Sequence, residues 1–106
     1  MVKRIEFLGD SLAELRGFPE VARKEAGVQL HKVQLGIEPS DWKPFSAIGP
    51  GVREIRIRED GGAFRIIYVA SLGDAVYVLN AFEKKTQQTP KRQVDLARAR
   101  LKQVRG

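Results

Sequence analysis

The sequence predicts an α+β fold of order βααβββα: a twisted, mainly antiparallel sheet with two N-terminal helices packed on it and a helix at the C-terminus. Three observations carry this. Apolar residues recur at helical spacing from position 11 to 37, alternate at period two from Val52 onward, and return to a helical stripe after Pro90. At 106 residues, 42% hydrophobic and 30% charged, the chain fits one domain over 1–106 with a core of its own.

Val2, Ile5, Phe7 and Leu8 mark a short opening strand over 2–8. Ser11-Leu12-Ala13-Glu14 reads as a capping box with Ser11 as N-cap, and a short helix with Leu12 and Leu15 inward runs from it to Gly17. Pro19 and Glu20 suit the first turn of a second helix, on which Ala22, Ala26, Leu30, Val33 and Ile37 form one stripe. Gly27 weakens that helix by about 1 kcal/mol relative to Ala, which points to a kink or a close helix crossing. Residues 37–51, punctuated by Pro39, Pro44, Gly49, Pro50 and Gly51, read as a loop pinned to the body by Trp42, Phe45 and Ile48.

From Val52 the period changes. Ile55 and Ile57 share one strand face, and Glu54, Arg56 and Arg58 the other. Glu59-Asp60-Gly61-Gly62 is a hairpin turn. The next strand puts Phe64, Ile66 and Tyr68 on one face and Arg65, Ile67 and Val69 on the other. After the turn Ser71-Leu72-Gly73-Asp74, the segment Ala75 to Phe82 is apolar at nearly every position and predicts a central strand. Thr89 reads as N-cap and Pro90 as the first residue of the closing helix. Its stripe is Val94, Ala97, Leu101 and Val104; its other faces hold Lys91, Arg92, Arg98, Arg100, Lys102 and Arg105.

Composition excludes several chemistries. With zero Cys and one His, neither a disulfide framework nor a nitrogen- or sulfur-ligated metal site can be built, so no metal and no cofactor is expected. A Ser–His–Asp triad would need His31, and no nucleophile elbow accompanies it. The glycines stand at strand turns, not between a strand and a helix as a phosphate loop requires. No apolar run spans a membrane, the opening residues are too charged for a secretory signal, and the missing Cys fits a cytoplasmic protein. The net charge of +6 comes from the last fifth of the chain, where eight basic residues from Lys84 to Arg105 face Asp95 alone. That asymmetry fits a polyanionic partner, and equally a solvated basic helix face.

Arg65 is the most informative residue. It interrupts a strand otherwise made of Phe64, Ile66, Ile67, Tyr68 and Val69, and a guanidinium there costs free energy unless it meets an anion or water. Arg56 and Arg58 stand within cross-strand reach, and Lys84 and Lys85 emerge where the last strand ends. These cations could converge on one patch that holds a phosphodiester, where a lysine crowded by cations can exchange a proton. RNA brings its own nucleophile, the 2′-hydroxyl, so such a site needs no metal. The competing arrangement pairs Arg56 and Arg58 with Glu54 and Glu59 on a solvated face.

Gly51-Val52-Arg53-Glu54-Ile55-Arg56-Ile57 followed by Phe64-Arg65-Ile66-Ile67-Tyr68 resembles the central hairpin of the RelE/ParE toxin superfamily. Phe82-Glu83-Lys84-Lys85-Thr86-Gln87-Gln88-Thr89-Pro90 is similar to the F-x-K-K-T-x-x-T-P pattern of its phage-derived, HigB-like killer branch. The resemblance spans essentially the whole chain. It implies a RelE-like fold and a toxin of a type II toxin–antitoxin (addiction) module, an mRNA interferase cutting mRNA on the ribosome. It further implies a cognate helix-turn-helix antitoxin as partner. By it, Arg65 contacts the scissile phosphate, Arg56 supports it, and Lys84 and Lys85 supply charge or proton transfer. Arg58, Lys91, Arg92 and Arg98 would bear on mRNA or ribosomal RNA. The sequence departs from the pattern in having no Tyr or His after Tyr77 and in carrying Glu54 where RelE has a basic residue, which leaves the general base unassigned. Two alternatives stand beside this: a non-enzymatic, ParE-like inhibitor of DNA gyrase, and an inactive remnant that only binds its antitoxin.

Overall fold

The protein is described by a computed structural model over residues 2–59 and 61–105; Asp60, in the expected hairpin turn, lies outside the described residues. The elements are β1 (Arg4–Phe7), α1 (Ser11–Arg16), α2 (Glu20–Gln34), β2 (Trp42–Pro44), β3 (Val52–Glu59), β4 (Gly62–Val69), β5 (Ala75–Glu83) and α3 (Lys91–Arg105). They build one five-stranded sheet of order β1-β5-β4-β3-β2. All pairs are antiparallel except β1 with β5, which run parallel.

Period-two alternation sorts the side chains into two cores. On one face, Ile55, Ile57, Phe64, Ile66, Tyr68, Val76 and Val78 pack under Leu15, Phe18, Ala22, Ala26, Leu30 and Val33 of α1, α2 and the turn between them. The rings of Phe18 and Phe64 lie 4.8 Å apart. On the other face, Val52, Ile67, Val69, Leu79 and Phe82 pack under Ala97 and Leu101 of α3, with Ile48 closing the side. A bulge makes this second core possible. Ile67 pairs with Asn80 and Tyr68 with Val78, so Leu79 is an extra residue that turns into the α3 core. Asn80 then donates to the backbone and side-chain oxygens of Gln93 (3.0 and 2.7 Å).

The structure revises several expectations. Residues 37–51 are not all loop: β2 adds a fifth strand, pairing Trp42 with Ile55 and Lys43 with Glu54. Ser11 caps nothing. It is the first helical residue, fully buried, and its hydroxyl donates to Val78 O across the core (3.3 Å), while Asp10 holds the N-cap position without a side-chain capping bond. Leu12 is only half-buried. Helix α2 stops three residues short of Ile37, which is exposed. Gly36 stops it, at φ +80°: Ile37 N–H donates to Lys32 O (2.8 Å) and Gly36 N–H to Val33 O (3.0 Å), a Schellman motif. Gly27 faces open space, so no helix crosses there. Strand β5 is interior, but the middle strand is β4. Arg100, expected on a solvated face, is buried: it donates to Leu79 O and to Asp10 Oδ1, each at 2.7 Å. Gly9, at φ +54°, makes room for that guanidinium, which would overlap any Cβ placed there.

Candidate anion-binding face

Helix α3 covers only part of its side of the sheet. Beyond its N-terminus the same face carries Lys43 from β2, Glu54, Arg56 and Arg58 from β3, Arg65 from β4, and Lys84 just past β5. Register brings them together. Arg56 stands directly opposite Arg65 and Arg58 opposite Ala63; Lys84 donates its backbone N–H to Ala63 O (2.7 Å).

Two guanidinium groups directly across a strand pair repel, so each needs a partner. Arg56 takes Asp41, donating from Nε (3.0 Å) and Nη2 (2.9 Å) to Oδ1. Arg65, only 5% exposed, donates from Nη1 to Phe64 O (3.1 Å) and holds Nε 3.7 Å from Glu54 Oε1. Glu54 is fully buried; its Oε2 accepts from the Thr89 hydroxyl (3.4 Å), and Lys43 Nζ stands 4.0 Å from Oε1. Both Arg65 Nε and Glu54 Oε1 are buried without a hydrogen bond. The pair is therefore attracted but unsatisfied, a state that costs free energy at low local dielectric. Five cations against Asp41 and Glu54 leave an excess of three positive charges on this face.

Burial pulls the Arg65 pKa down, with Glu54 opposing and Arg56 and Arg58 adding to the depression; it remains a cation at any physiological pH. Lys84 is also held below the ordinary lysine value, first by partial burial and then by Arg65, while Glu54 opposes and Lys43 and Arg56 add. Lys84 thus senses Arg65, Glu54, Lys43 and Arg56 together, as crowded charges require.

The other expected residues are distributed differently. Lys85 is exposed on the loop after β5, whereas Arg58, also exposed, keeps its place on the face. Lys91 pairs with Asp95 (2.8 Å), one turn along α3. Arg98 donates from Nε and Nη2 to Ala47 O (3.1 and 2.7 Å) and so ties α3 to the loop after β2. Arg92 lies beside Asp10 and Arg100 on the α1 side. The C-terminal charge does not form one stripe. Asp41, Lys43 and Thr89 belong to the face and were not anticipated. Thr89 carried a signal, since a hydroxyl before Pro90 reads as a cap, but its acceptor is a carboxylate 35 residues away. Among the described residues no three His, Asp or Glu side chains gather as metal ligands would, and no helix is long and apolar enough to cross a membrane.

The structure is similar to that of a free-state mutant of the E. coli toxin RelE in which two arginines are alanine. The TM-score is 0.67 at 15% identity, covering 98% of this chain and 99% of that one. No curated protein matches the chain in sequence. The family model described as Phage derived protein Gp49-like (DUF891) matches residues 13–102, which includes α2, the whole β2–β5 meander and most of α3. With the cation face built on that matched meander and the fold that of RelE, the chain belongs to the phage-derived Gp49-like family.

Proposed function

We propose that this chain is the toxin of a type II toxin–antitoxin module, a single toxin domain over 1–106 acting in the cytoplasm, and that it cleaves mRNA on the ribosome by metal-free attack of the 2′-hydroxyl. The observation that carries the reading is the convergence of Arg56, Arg65 and Lys84 on one sheet face; the RelE fold supports it. In the reaction the 2′-oxygen bonds to phosphorus and gives up its proton to solvent water. The bond from phosphorus to the 5′-oxygen breaks, that oxygen takes a proton, and a 2′,3′-cyclic phosphate remains. Arg65 is the residue assigned to the non-bridging oxygens, where its charge favours that added in the transition state. Arg56 backs it from the neighbouring strand. The depressed pKa makes the Lys84 ammonium the readier proton donor to the leaving oxygen, and Lys85 adds charge. Arg58, Lys91, Arg92 and Arg98 are the contacts to RNA. The partner in the cell is a cognate helix-turn-helix antitoxin.

Induction of Arg65→Ala and of Lys85→Ala should relieve growth arrest with circular dichroism unchanged, and primer extension should lose its cleavage products. Full toxicity in both variants would end this reading. A second reading rests on Glu54 and Asp41, which already offset part of the face's charge: a toxin that binds DNA gyrase without cutting RNA, or an inactive antitoxin-binding remnant. Intact transcripts with DNA damage would identify the gyrase binder; no arrest at all would identify the remnant.

A further inference from the structure

Away from the cation face, on the α1/α2 side, the five exposed large hydrophobic residues among those described are Val2, Val21, Val28, Leu35 and Ile37. Their placement is not scattered. Val21, Val28 and Leu35 recur every seven residues, which puts them on one line along the outside of α2, opposite its buried stripe. Lys24 and His31 fall between them on the same side, and Gly27, exposed with nothing within 4 Å of where a Cβ would stand, leaves the backbone open to close approach.

The line ends at a pocket of about 260 Å³ between the C-terminal end of α2 and the ends of β3 and β4. Ile37 lines it, and Val2 and Leu35 neighbour its wall residues Lys3 and Gly36. Its polar side is cationic: Lys3 and Arg53, with Glu38 at 3.9 Å from Arg53 as the single acid in the wall. Arg53 is braced by stacking 3.9 Å over the Trp42 ring. Behind it, Tyr68 is 1% exposed and its hydroxyl has no hydrogen-bond partner. The neighbouring guanidinium can feed the phenol oxygen, but it has no acceptor for the phenol proton. The Tyr68 hydroxyl therefore lacks an acceptor, and the pocket carries one more positive than negative side chain, while its approach is apolar. An Arg and a Tyr in a recess beside exposed apolar residues are the composition of an interface anchor.

We propose that the outer face of α2 and the pocket at its end form one docking surface for an acidic amphipathic helix of another protein. Apolar side chains of that helix pack on Val21, Val28 and Leu35, and a carboxylate near its end enters the pocket, accepting from Arg53 and Lys3. A second copy of this chain fits poorly. Pairing of two α2 helices joins molecules of net charge +6, and the last turn of α2, beside the pocket, carries the basic residues His31 and Lys32. The surface leaves the cation face uncovered, and it stands whether or not that face cuts RNA.

The test titrates the full chain with a blocked helical peptide, long enough to span Val21 to Leu35, about 21 Å at 1.5 Å per residue. The peptide carries Leu in heptad spacing with Glu beside it and at its end; its twin has Gln for every Glu. Saturable binding of the first is expected, with the twin weaker by about tenfold or more. Val28→Lys, at an exposed site, and Arg53→Met should each weaken binding by about tenfold, and Arg65→Ala should leave it unchanged. No saturable binding would overturn the proposal. So would loss in Arg65→Ala with Val28→Lys unaffected, which would assign the peptide to the cation face. Sedimentation showing a dimer that Val28→Lys dissolves would overturn it in favour of a second copy.

Discussion

The two halves of the α3 side of the sheet hold arginines in opposite circumstances. Under and beside α3, the guanidinium groups of Arg98, Arg100 and Arg105 reach backbone carbonyls of Ala47, Leu79 and Pro50. They satisfy acceptors and fasten the helix to the body. On the uncovered half, Arg65 faces Arg56 across a strand pair and leaves Nε and the nearest Glu54 oxygen without hydrogen bonds. Like charges thus do unlike things. The helix-side arginines lower the free energy of the fold, and the sheet-side cluster leaves an electrostatic demand that the chain itself does not fully meet.

The contrast can be broken most forcefully at Arg100. Arg100→Met removes two hydrogen bonds from a buried group and leaves Leu79 O unpaired, which should cost about 2–4 kcal/mol. Urea denaturation measures it. The RNA-cleaving or growth-arresting activity per folded molecule should not change, because Arg100 turns toward Asp10 on the α1 side. A loss of activity without loss of stability would erase the division between the halves.

A smaller effect sharpens it. Arg65→Met alone strands the buried Glu54 carboxylate with only Thr89 and Lys43 nearby and should destabilise by about 2–3 kcal/mol. Adding Glu54→Met removes the stranded charge, and the double variant should return to within about 1 kcal/mol of the parent while remaining inactive. Thermal unfolding of the four proteins of the cycle decides this. A double variant as unstable as the sum of the singles would mean that the pair stabilises the fold outright.

What the sequence disclosed follows the same division. Alternation in β3 and β4 put Arg56, Arg58 and Arg65 on one face, because period two is local and leaves no freedom once one face is apolar. The helical stripes of α2 and α3 were legible for the same reason. The misread residues are those whose side chains satisfy distant atoms. Ser11 and Thr89 each have the local form of a cap, yet their acceptors are Val78 O and Glu54, brought close only by the folded sheet. The three residues of β2 are a strand because β3 offers them an edge, not because Trp42-Lys43-Pro44 favours one, and so Lys43 and the neighbouring Asp41 were missing from the expected site. The basic residues of α3 differ for a related reason: charge is countable in a sequence, but the carbonyls that Arg98, Arg100 and Arg105 reach are not.

The smallest effect is a pH dependence. Arg100, by its hydrogen bond, holds the Asp10 carboxyl below its ordinary 3.8 in spite of some desolvation. A carboxyl whose folded pKa is depressed stabilises the fold fully above the unfolded value, and that contribution disappears as pH falls through the folded one. Asp10→Asn keeps the shape and removes the charge. The gap in melting temperature between the parent and this variant should stay constant from about pH 5 to 8 and close below about pH 4. Asp10 is solvent-facing, so the gap itself is small. If it persisted unchanged into acid, the attachment of α3 to α1 would owe nothing to ionic pairing, and Arg100 would act only as a donor to Leu79 O and as packing against Gly9.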